Sequence, residues 1–205
     1  MKLLQNFRKT LRADRILPPG QGWTSDDFEG LYAKYSDPWG VQSSPFAQQR
    51  YLKLLEVIGQ HGPCDAILDV GCGEGALARH LVGCAREVVG IDASQTAITR
   101  ARQLTPKATF HCSTLEEFSP RRRFDVVLAV EVLYYVPSVE AALRQLIALG
   151  RRIVVSYTNR ERQRLEPYLD RYRAESQRQV FPFFESKKFG FTVVELLGLP
   201  AENPG

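Results

Sequence analysis

A short apolar run that leads directly into a glycine-rich turn constrains this chain more than any other feature. The run is residues 66–70, and the turn contains Gly71, Gly73 and Gly75. This pattern is typical of a buried parallel strand that turns sharply into a helix in an open α/β sheet. A second apolar run ends at Asp92, 21 residues after Gly71, the separation at which an acidic residue binds ribose hydroxyls. The sequence therefore predicts a nucleoside-binding site.

The charges around the turn indicate which nucleoside fits. Gly71, Gly73 and Ala76 also satisfy the dinucleotide fingerprint, in which glycine amides and a helix N-terminus face a pyrophosphate. Asp69 and Glu74, however, lie before and inside the turn, and their carboxylates would repel a phosphate. They favour a cationic, phosphate-free ligand such as S-adenosylmethionine, which carries an ammonium and a sulfonium. A nicotinamide-dependent oxidoreductase and a non-catalytic cofactor-binding protein are the alternative interpretations.

Two motifs resemble those of the class I S-adenosylmethionine-dependent methyltransferases. The first is the run from Asp69 to Gly75, DVGCGEG, and the second is the fourth-strand motif in residues 124–136. Residues 131–135, EVLYY, and the upstream residues 37–39, DPW, are similar to the nodulation N-methyltransferase NodS group. This resemblance covers roughly residues 35–156. It implies a Rossmann-like fold and methyl transfer to a nitrogen or oxygen of a small molecule, with a saccharide or amino sugar as a candidate acceptor.

The predicted cofactor site follows the parts of S-adenosylmethionine. We expect the methionine ammonium near Asp69 and near the backbone carbonyls of Gly71 and Val130. Gly71 and Gly73 lack a Cβ atom and so permit close approach. Asp92 is expected to accept hydrogen bonds from both ribose hydroxyls, with helix capping as its structural alternative. The full predicted set is Trp39, Arg50, Asp69, Gly71, Gly73, Asp92, Ala93, Thr114, Leu115 and Val130.

The remaining members of that set are assigned by the resemblance. Adenine is expected between Ala93 and the turn at residues 113–115, where many relatives have an acid and this chain has a serine. Arg50 would bind the methionine carboxylate, as similar arginines do in resembling enzymes. Trp39, with Tyr32 and Tyr35, would form a lid whose rings attract the sulfonium. Plain packing of Trp39 and a surface position for Arg50 are the structural alternatives.

Glu131 and Tyr134 are the predicted catalytic residues. Glu131 follows the fourth strand at the point nearest the expected methyl group, so it is the best candidate for a general base, and Tyr134 would orient the acceptor. A base is needed only if the acceptor must lose a proton. His111 is a weaker candidate base. A solvated carboxylate at Glu131 and core packing of Tyr134 or Tyr135 are the structural alternatives.

The alternation of apolar runs and helical patterns predicts one α/β domain with a doubly wound, mostly parallel sheet. Residues 44–205 would form the S-adenosylmethionine-binding domain. Residues 1–43, rich in Gly, Pro and aromatic residues, are predicted to be an irregular N-terminal lid segment. Helices are predicted at 45–59, 75–82, 95–104, 139–149 and 161–176, and Ser44, Ser94 and Ser138 are the predicted N-caps. Strands are predicted at 66–70, 87–91, 108–112, 124–129, 152–157 and 191–197. Residues 179–184 are predicted to form an edge strand.

The amino-acid composition argues against a membrane, a metal ion or a nucleic acid as a partner of this chain. The chain of 205 residues is 44% hydrophobic and 24% charged, which is typical of a soluble globular protein, and no run approaches a membrane span. Its four cysteines form no C-x-x-C pair, so neither a metal site nor a disulfide framework is predicted, and a cytoplasmic location is expected. The net charge of +4 is spread over mixed-charge segments, which disfavours nucleic-acid binding. The oligomeric state is left open.

Overall fold

A computed structural model describes residues 22–42, 44–183 and 186–197, with side chains omitted for 173–189 and for 197. The predicted lid segment is therefore described only in part, since residues 1–21 and 43 lie outside these ranges. The helices are α1 Ser25–Lys34, α2 Pro45–Gly59, α3 Ala78–Leu81, α4 Gln95–Leu104, α5 Val139–Leu149 and α6 Arg162–Leu169, with 3₁₀ turns at Asn159–Glu161 and Asp170–Glu175. The strands are β1 Cys64–Val70, β2 Ala85–Asp92, β3 Thr109–Cys112, β4 Phe124–Val130, β5 Gly150–Thr158, β6 Ser176–Phe183 and β7 Ser186–Leu197.

All the strands belong to one sheet in the order β3-β2-β1-β4-β5-β7-β6. The pairs from β3 to β5 are parallel, whereas β7 runs antiparallel to both β5 and β6. From β1 the chain winds outward to β2 and β3, and it then returns to place β4 on the other side of β1. This reversal leaves a crevice beyond the carboxyl ends of β1 and β4, where open α/β sheets bind ligands. The predicted doubly wound, mostly parallel sheet is confirmed.

Both faces of the sheet are covered, which explains why its strands read as continuous apolar runs. In β4, Val127 and Ala129 belong to one core cluster. Val126 and Leu128 alternate with them and belong to the other cluster, on the opposite face. Among the described residues, no helix is both long and apolar enough to cross a bilayer.

Serine caps fix the starts of the helices that the sequence predicts best. The hydroxyls of Ser44, Ser94 and Ser138 accept hydrogen bonds from the amides of Ala47, Ala97 and Ala141, at 3.3, 3.1 and 3.2 Å. Helices α4 and α5 consequently have the predicted bounds. The prediction of an irregular segment before residue 44 was wrong in part, since α1 lies there. The sequence feature that indicates α1 is a capping box in which Thr24 and Asp27 exchange hydrogen bonds.

Two further helices are shorter than predicted. The helix expected at 75–82 forms only at Ala78–Leu81, because Gly75 has φ +79° and cannot lie within a right-handed helix. The helix expected at 161–176 ends at Leu169, two residues after the internal Pro167, and passes into a 3₁₀ turn. The chain then enters β6 at Ser176, which confirms an edge strand close to the predicted bounds. Pro182 lies in that edge strand beside a register shift, a position that tolerates its missing N–H group.

Candidate active site

A cleft lies beyond the carboxyl ends of the parallel strands. It has a cavity volume of about 310 Å³ and is bounded on the far side by α1 and by the segment between α1 and α2. The structure brings every predicted cofactor-binding and catalytic residue to its wall: Trp39, Arg50, Asp69, Gly71, Gly73, Asp92, Ala93, Thr114, Leu115, Val130, Glu131 and Tyr134. Residues from separate regions of the sequence therefore lie at the wall of one cleft.

Gly71 and Gly73 both have backbone conformations that favour glycine, with φ of +69° and +53°. A Cβ atom on Gly71 would lie 2.7 Å from Cγ2 of Val132, and one on Gly73 would lie 2.7 Å from the hydroxyl of Tyr32. The sequence explained these glycines by the close approach of a ligand. The structure adds a second reason, because side chains from β4's C-terminal turn and from α1 already pack against the glycine turn.

Asp69 is buried and Asp92 is half-buried, and neither carboxylate has an ion pair among the described residues. Asp92 accepts hydrogen bonds from the amides of Gly73, at 2.9 Å, and Ser94, at 3.0 Å. Asp69 is 2% exposed, and its Oδ2 atom has no hydrogen-bond partner. Burial raises the pKa of Asp69 to about 7, with a further contribution from the charge of Asp92. Burial likewise raises the pKa of Asp92 to about 6.

This arrangement leaves negative potential in the cleft that nothing in the described protein neutralises. An unpaired buried charge is costly unless a partner supplies opposite charge or hydrogen bonds. A cation near Asp69 and a pair of hydroxyl donors near Asp92 would provide both. Helix capping does not account for Asp92, since Ser94 is the N-cap of α4. The adjacent cysteine is not a competing ionisable group, because burial raises the pKa of Cys72 well above its ordinary value.

The adenine side of the cleft is formed by Ala93 and the turn at residues 113–115. The Ser113 amide donates to the carbonyl of Asp92 at 3.0 Å, which joins this turn to β2. The Ser113 hydroxyl donates to the Thr114 carbonyl at 2.9 Å, and the Leu115 side chain is buried. The turn therefore offers an apolar surface and backbone groups to an adenine ring.

Glu74 has a different role from the one that its position suggested. Its carboxylate pairs with Arg100 of α4 at 2.6 Å and accepts the Asp37 amide and the side-chain amide of Gln42. Asp37, at φ +47°, in turn accepts the amides of Val41 and Gln42. The prediction that Glu74 contributes negative charge for a cationic ligand was therefore wrong, because Arg100 neutralises it. Glu74 instead joins the glycine turn to the loop that carries Trp39.

Aromatic side chains line the side of the cleft that α1 covers. The indole N–H of Trp39 donates to the Tyr32 hydroxyl at 3.1 Å. Rings of Trp39 and Phe28 pack against Tyr135, with centroids 5.4 and 5.8 Å apart. Burial, together with the charge of Asp92, raises the pKa of Tyr32 well above its ordinary value, so its hydroxyl stays neutral. Glu29 anchors α1 to the start of α4 through Ser94 and Thr96.

Glu131 and Tyr134 are in direct contact at the end of β4. The Tyr134 hydroxyl donates to Glu131 Oε2 at 2.8 Å, and the Thr158 amide donates to the same oxygen at 3.2 Å. Arg50 Nη1 lies 2.6 Å from Glu131 Oε1, which the Ser156 hydroxyl also approaches at 3.5 Å. Burial, with the charge of Glu131, raises the pKa of Tyr134 well above its ordinary value. Every Glu131 oxygen is thus engaged by protein donors.

His111 was the weaker candidate base, and the structure does not place it in the cleft. Its side chain is exposed on β3, outside the wall of the cavity, and its ring packs against Phe118 with centroids 6.1 Å apart. The residues that the sequence did not reveal are the partners of these groups: Glu29, Arg100, Ser156 and Thr158. The capping box at the start of α1 was a sequence signal for the helix that contains Glu29. The other contacts join elements that are distant in the sequence, so no local pattern indicates them.

The fold and the position of the cleft define the protein as one with a class I methyltransferase fold. The crystal structure of the N-methyltransferase NodS from Bradyrhizobium japonicum WM9, in complex with S-adenosyl-L-homocysteine, matches it with a TM-score of 0.73. That match is 21% identical in sequence and covers 85% of this chain and 97% of the other. The model of the Nodulation protein S (NodS) family matches residues 29–156. The chain belongs to the NodS family.

Curated relatives agree with this membership. Nodulation protein S of Bradyrhizobium diazoefficiens is 34% identical over 120 residues, which are 55% of this chain and 57% of that protein. Ubiquinone biosynthesis O-methyltransferase of the same organism is 39% identical over 101 residues, covering 46% of this chain and 40% of the other. The chain therefore spans about half the length of the curated relatives that it matches.

Proposed function

We propose that this protein transfers a methyl group from S-adenosylmethionine to a small-molecule acceptor. The observation that carries the proposal is the pair of carboxylates without a cationic partner beside the glycine turn, Asp69, which is buried, and Asp92, which is half-buried. An ammonium beside Asp69 and a ribose beside Asp92 match them, whereas the pyrophosphate of a nicotinamide cofactor at the glycine turn would meet the charge of Asp69. The N-methyltransferase and O-methyltransferase names of its relatives support the same reaction class.

Each part of S-adenosylmethionine would be bound by a different group of the described residues. Asp69 and the Val130 carbonyl would hold the methionine ammonium, and Asp92 would accept both ribose hydroxyls. Ala93, Thr114 and Leu115 would border adenine. Arg50 lines the cavity, so its guanidinium can donate to the methionine carboxylate. When bound, S-adenosylmethionine supplies an electrophilic methyl group on its sulfonium.

We also propose that residues 22–42 act as a lid. Trp39 and Tyr32 border the cleft beside the glycine turn, and Glu29 and Glu74 fasten this segment to α4 and to the turn. A closed cleft excludes water, which matters because a sulfonium methyl group needs chiefly an aimed nucleophile. The free cysteines fit a reducing cytoplasm as the working compartment.

A nitrogen acceptor is favoured over a hydroxyl. No histidine among the described residues lines the cleft, and the Glu131 carboxylate is engaged by protein donors at both oxygens. An amine that arrives as its free base needs no proton removed before attack, whereas a hydroxyl does. The aromatic rings of Phe28, Trp39 and Tyr135 offer faces for a sugar ring or another flat apolar surface. An amino sugar combines these requirements.

Calorimetric titration with S-adenosylhomocysteine and, separately, with NADH tests the cofactor. We expect micromolar binding of S-adenosylhomocysteine and no binding of NADH. Tight binding of NADH alone would replace methyl transfer by an oxidoreductase function. Transfer of a labelled methyl group to amine and hydroxyl acceptors of matched structure then tests the preference for nitrogen.

A further inference from the structure

The backbone of Glu131 has a conformation that few residues of its kind adopt. Its φ is +58°, in the left-handed region, where a residue with a Cβ atom is strained. The turn is held by the Glu131 amide, which donates to the Ser156 carbonyl at 2.8 Å. It brings Val132 against Gly71, so the strained residue lies where β4 meets the glycine turn. Such strain is retained at sites where the side chain must be aimed.

The carboxylate of Glu131 is aimed at Arg50. The two side chains are 16% and 7% exposed, and their closest N–O distance is 2.6 Å. Arg50 is supported from the other side by the ring of Phe46, with its guanidinium carbon 5.3 Å from the ring centroid. Its Nε atom nonetheless remains buried without a partner. The guanidinium is therefore fixed by protein contacts at the wall of the cavity that Arg50 lines.

We propose that Glu131 is a positioning residue that acts through Arg50, rather than the general base that its location at the end of β4 suggested. This inference rests on the proposed function. Glu131 holds the Arg50 guanidinium in the orientation that receives the methionine carboxylate, and it holds the Tyr134 hydroxyl in the same network. A carboxylate already engaged by Arg50, Tyr134 and the Thr158 amide has few acceptor positions left for a hydrogen bond from a substrate.

Binding of two ligands that differ only in the amino-acid end tests whether Glu131 positions Arg50. S-adenosylhomocysteine carries the amino-acid end, whereas 5′-methylthioadenosine has the same nucleoside without it. For Glu131→Gln we expect about tenfold weaker binding of S-adenosylhomocysteine and a change of less than about twofold for methylthioadenosine. Arg50→Gln should show the same selective loss. The double variant should be no weaker than Arg50→Gln alone, because both substitutions remove one interaction.

Glu131→Asn guards against a variant that fails to fold, since asparagine is well tolerated in the left-handed region. The shorter asparagine side chain cannot contact Arg50, so this variant should also bind only S-adenosylhomocysteine more weakly. Glu140→Gln, at an exposed ion pair with Arg144, is the matched control and should bind both ligands normally. Equal loss for both ligands, or unchanged binding in Glu131→Gln, would overturn the positioning role. A wild-type protein that binds neither ligand would remove the proposed function itself.

Discussion

Two kinds of carboxylate, all of them buried or half-buried, border the same cleft. Asp69 and Asp92 have no cationic partner among the described residues, and burial raises their pKa values to about 7 and about 6. Glu74 and Glu131 each have an arginine within 2.6 Å. The paired acids join elements of the protein to one another. Asp92 accepts two backbone amides, but neither unpaired acid has a cation among the described residues to offset its charge, which indicates that a ligand is their partner.

The largest effect should follow from Asp92→Ala. Two charge-assisted hydrogen bonds to the ribose would be lost, each of about 1.5–3 kcal/mol, so S-adenosylhomocysteine should bind about 100-fold more weakly or worse. Calorimetry measures the affinity, and thermal unfolding should show a folded protein. Asp65→Ala is the control, since Asp65 is exposed and lies at the opposite end of β1. An unchanged affinity would mean that Asp92 does not contact the ribose.

Asp69→Asn should affect binding and stability in opposite directions. Loss of the carboxylate should weaken S-adenosylhomocysteine binding by about tenfold, as expected for one charged contact. The free protein should become more stable at pH 8, because the native pKa of Asp69 exceeds its usual 3.8. A raised native pKa gives stability at low pH that is lost as the pH rises from about 4 to about 7. The full loss would be roughly 4 kcal/mol at most.

Urea unfolding of wild-type protein and Asp69→Asn at pH 5 and pH 8 measures this change. The difference between the two proteins should be larger at pH 8 than at pH 5. A variant less stable than wild type at pH 8 would show that Asp69 has a favourable partner in the free protein, and its contrast with Glu74 would then disappear.

Glu74→Gln tests the paired class of carboxylate, as Asp69→Asn tests the unpaired class. Arg100 would lose its carboxylate partner while remaining about one-third exposed, so we expect a loss of about 1–3 kcal/mol in the free energy of unfolding. Urea unfolding at pH 7 measures the loss, and Glu140→Gln serves as the exposed ion-pair control. If Glu74→Gln instead stabilised the free protein, as Asp69→Asn should, Glu74 would belong with the unpaired acids.

The smallest effect is expected for Glu29→Gln. Hydrogen bonds from Thr96 and Ser94 lower the pKa of Glu29, so its contribution to stability is present at neutral pH and is lost as the pH falls below about 4.5. The substitution should cost about 0.5–1 kcal/mol at pH 7 and nothing at pH 3. Hydrogen exchange should show faster exchange in α1 alone. Faster exchange throughout the sheet would contradict a role limited to holding α1.

The contrast also explains what the sequence could and could not predict. Local signals predicted the sheet, the glycine turn and the bounds of α4 and α5, because serine caps and apolar runs act within a few residues. The neutralisation of Glu74 was missed because Arg100 is 26 residues away along the chain and becomes its partner only when α4 packs beside the turn. The engagement of Glu131 was missed for the same reason, since its donors come from α2 and β5.

Proton release on binding tests the central claim most directly. With pKa values of about 7 and about 6, Asp69 is mostly protonated and Asp92 is partly protonated at pH 6 in the free protein, and a bound ammonium and ribose favour their charged forms. Titration with S-adenosylhomocysteine in two buffers of different ionisation enthalpy should therefore report release of about one proton at pH 6 and almost none at pH 8. No release at pH 6, or uptake of protons, would contradict a site in which unpaired carboxylates bind a cationic adenosyl compound.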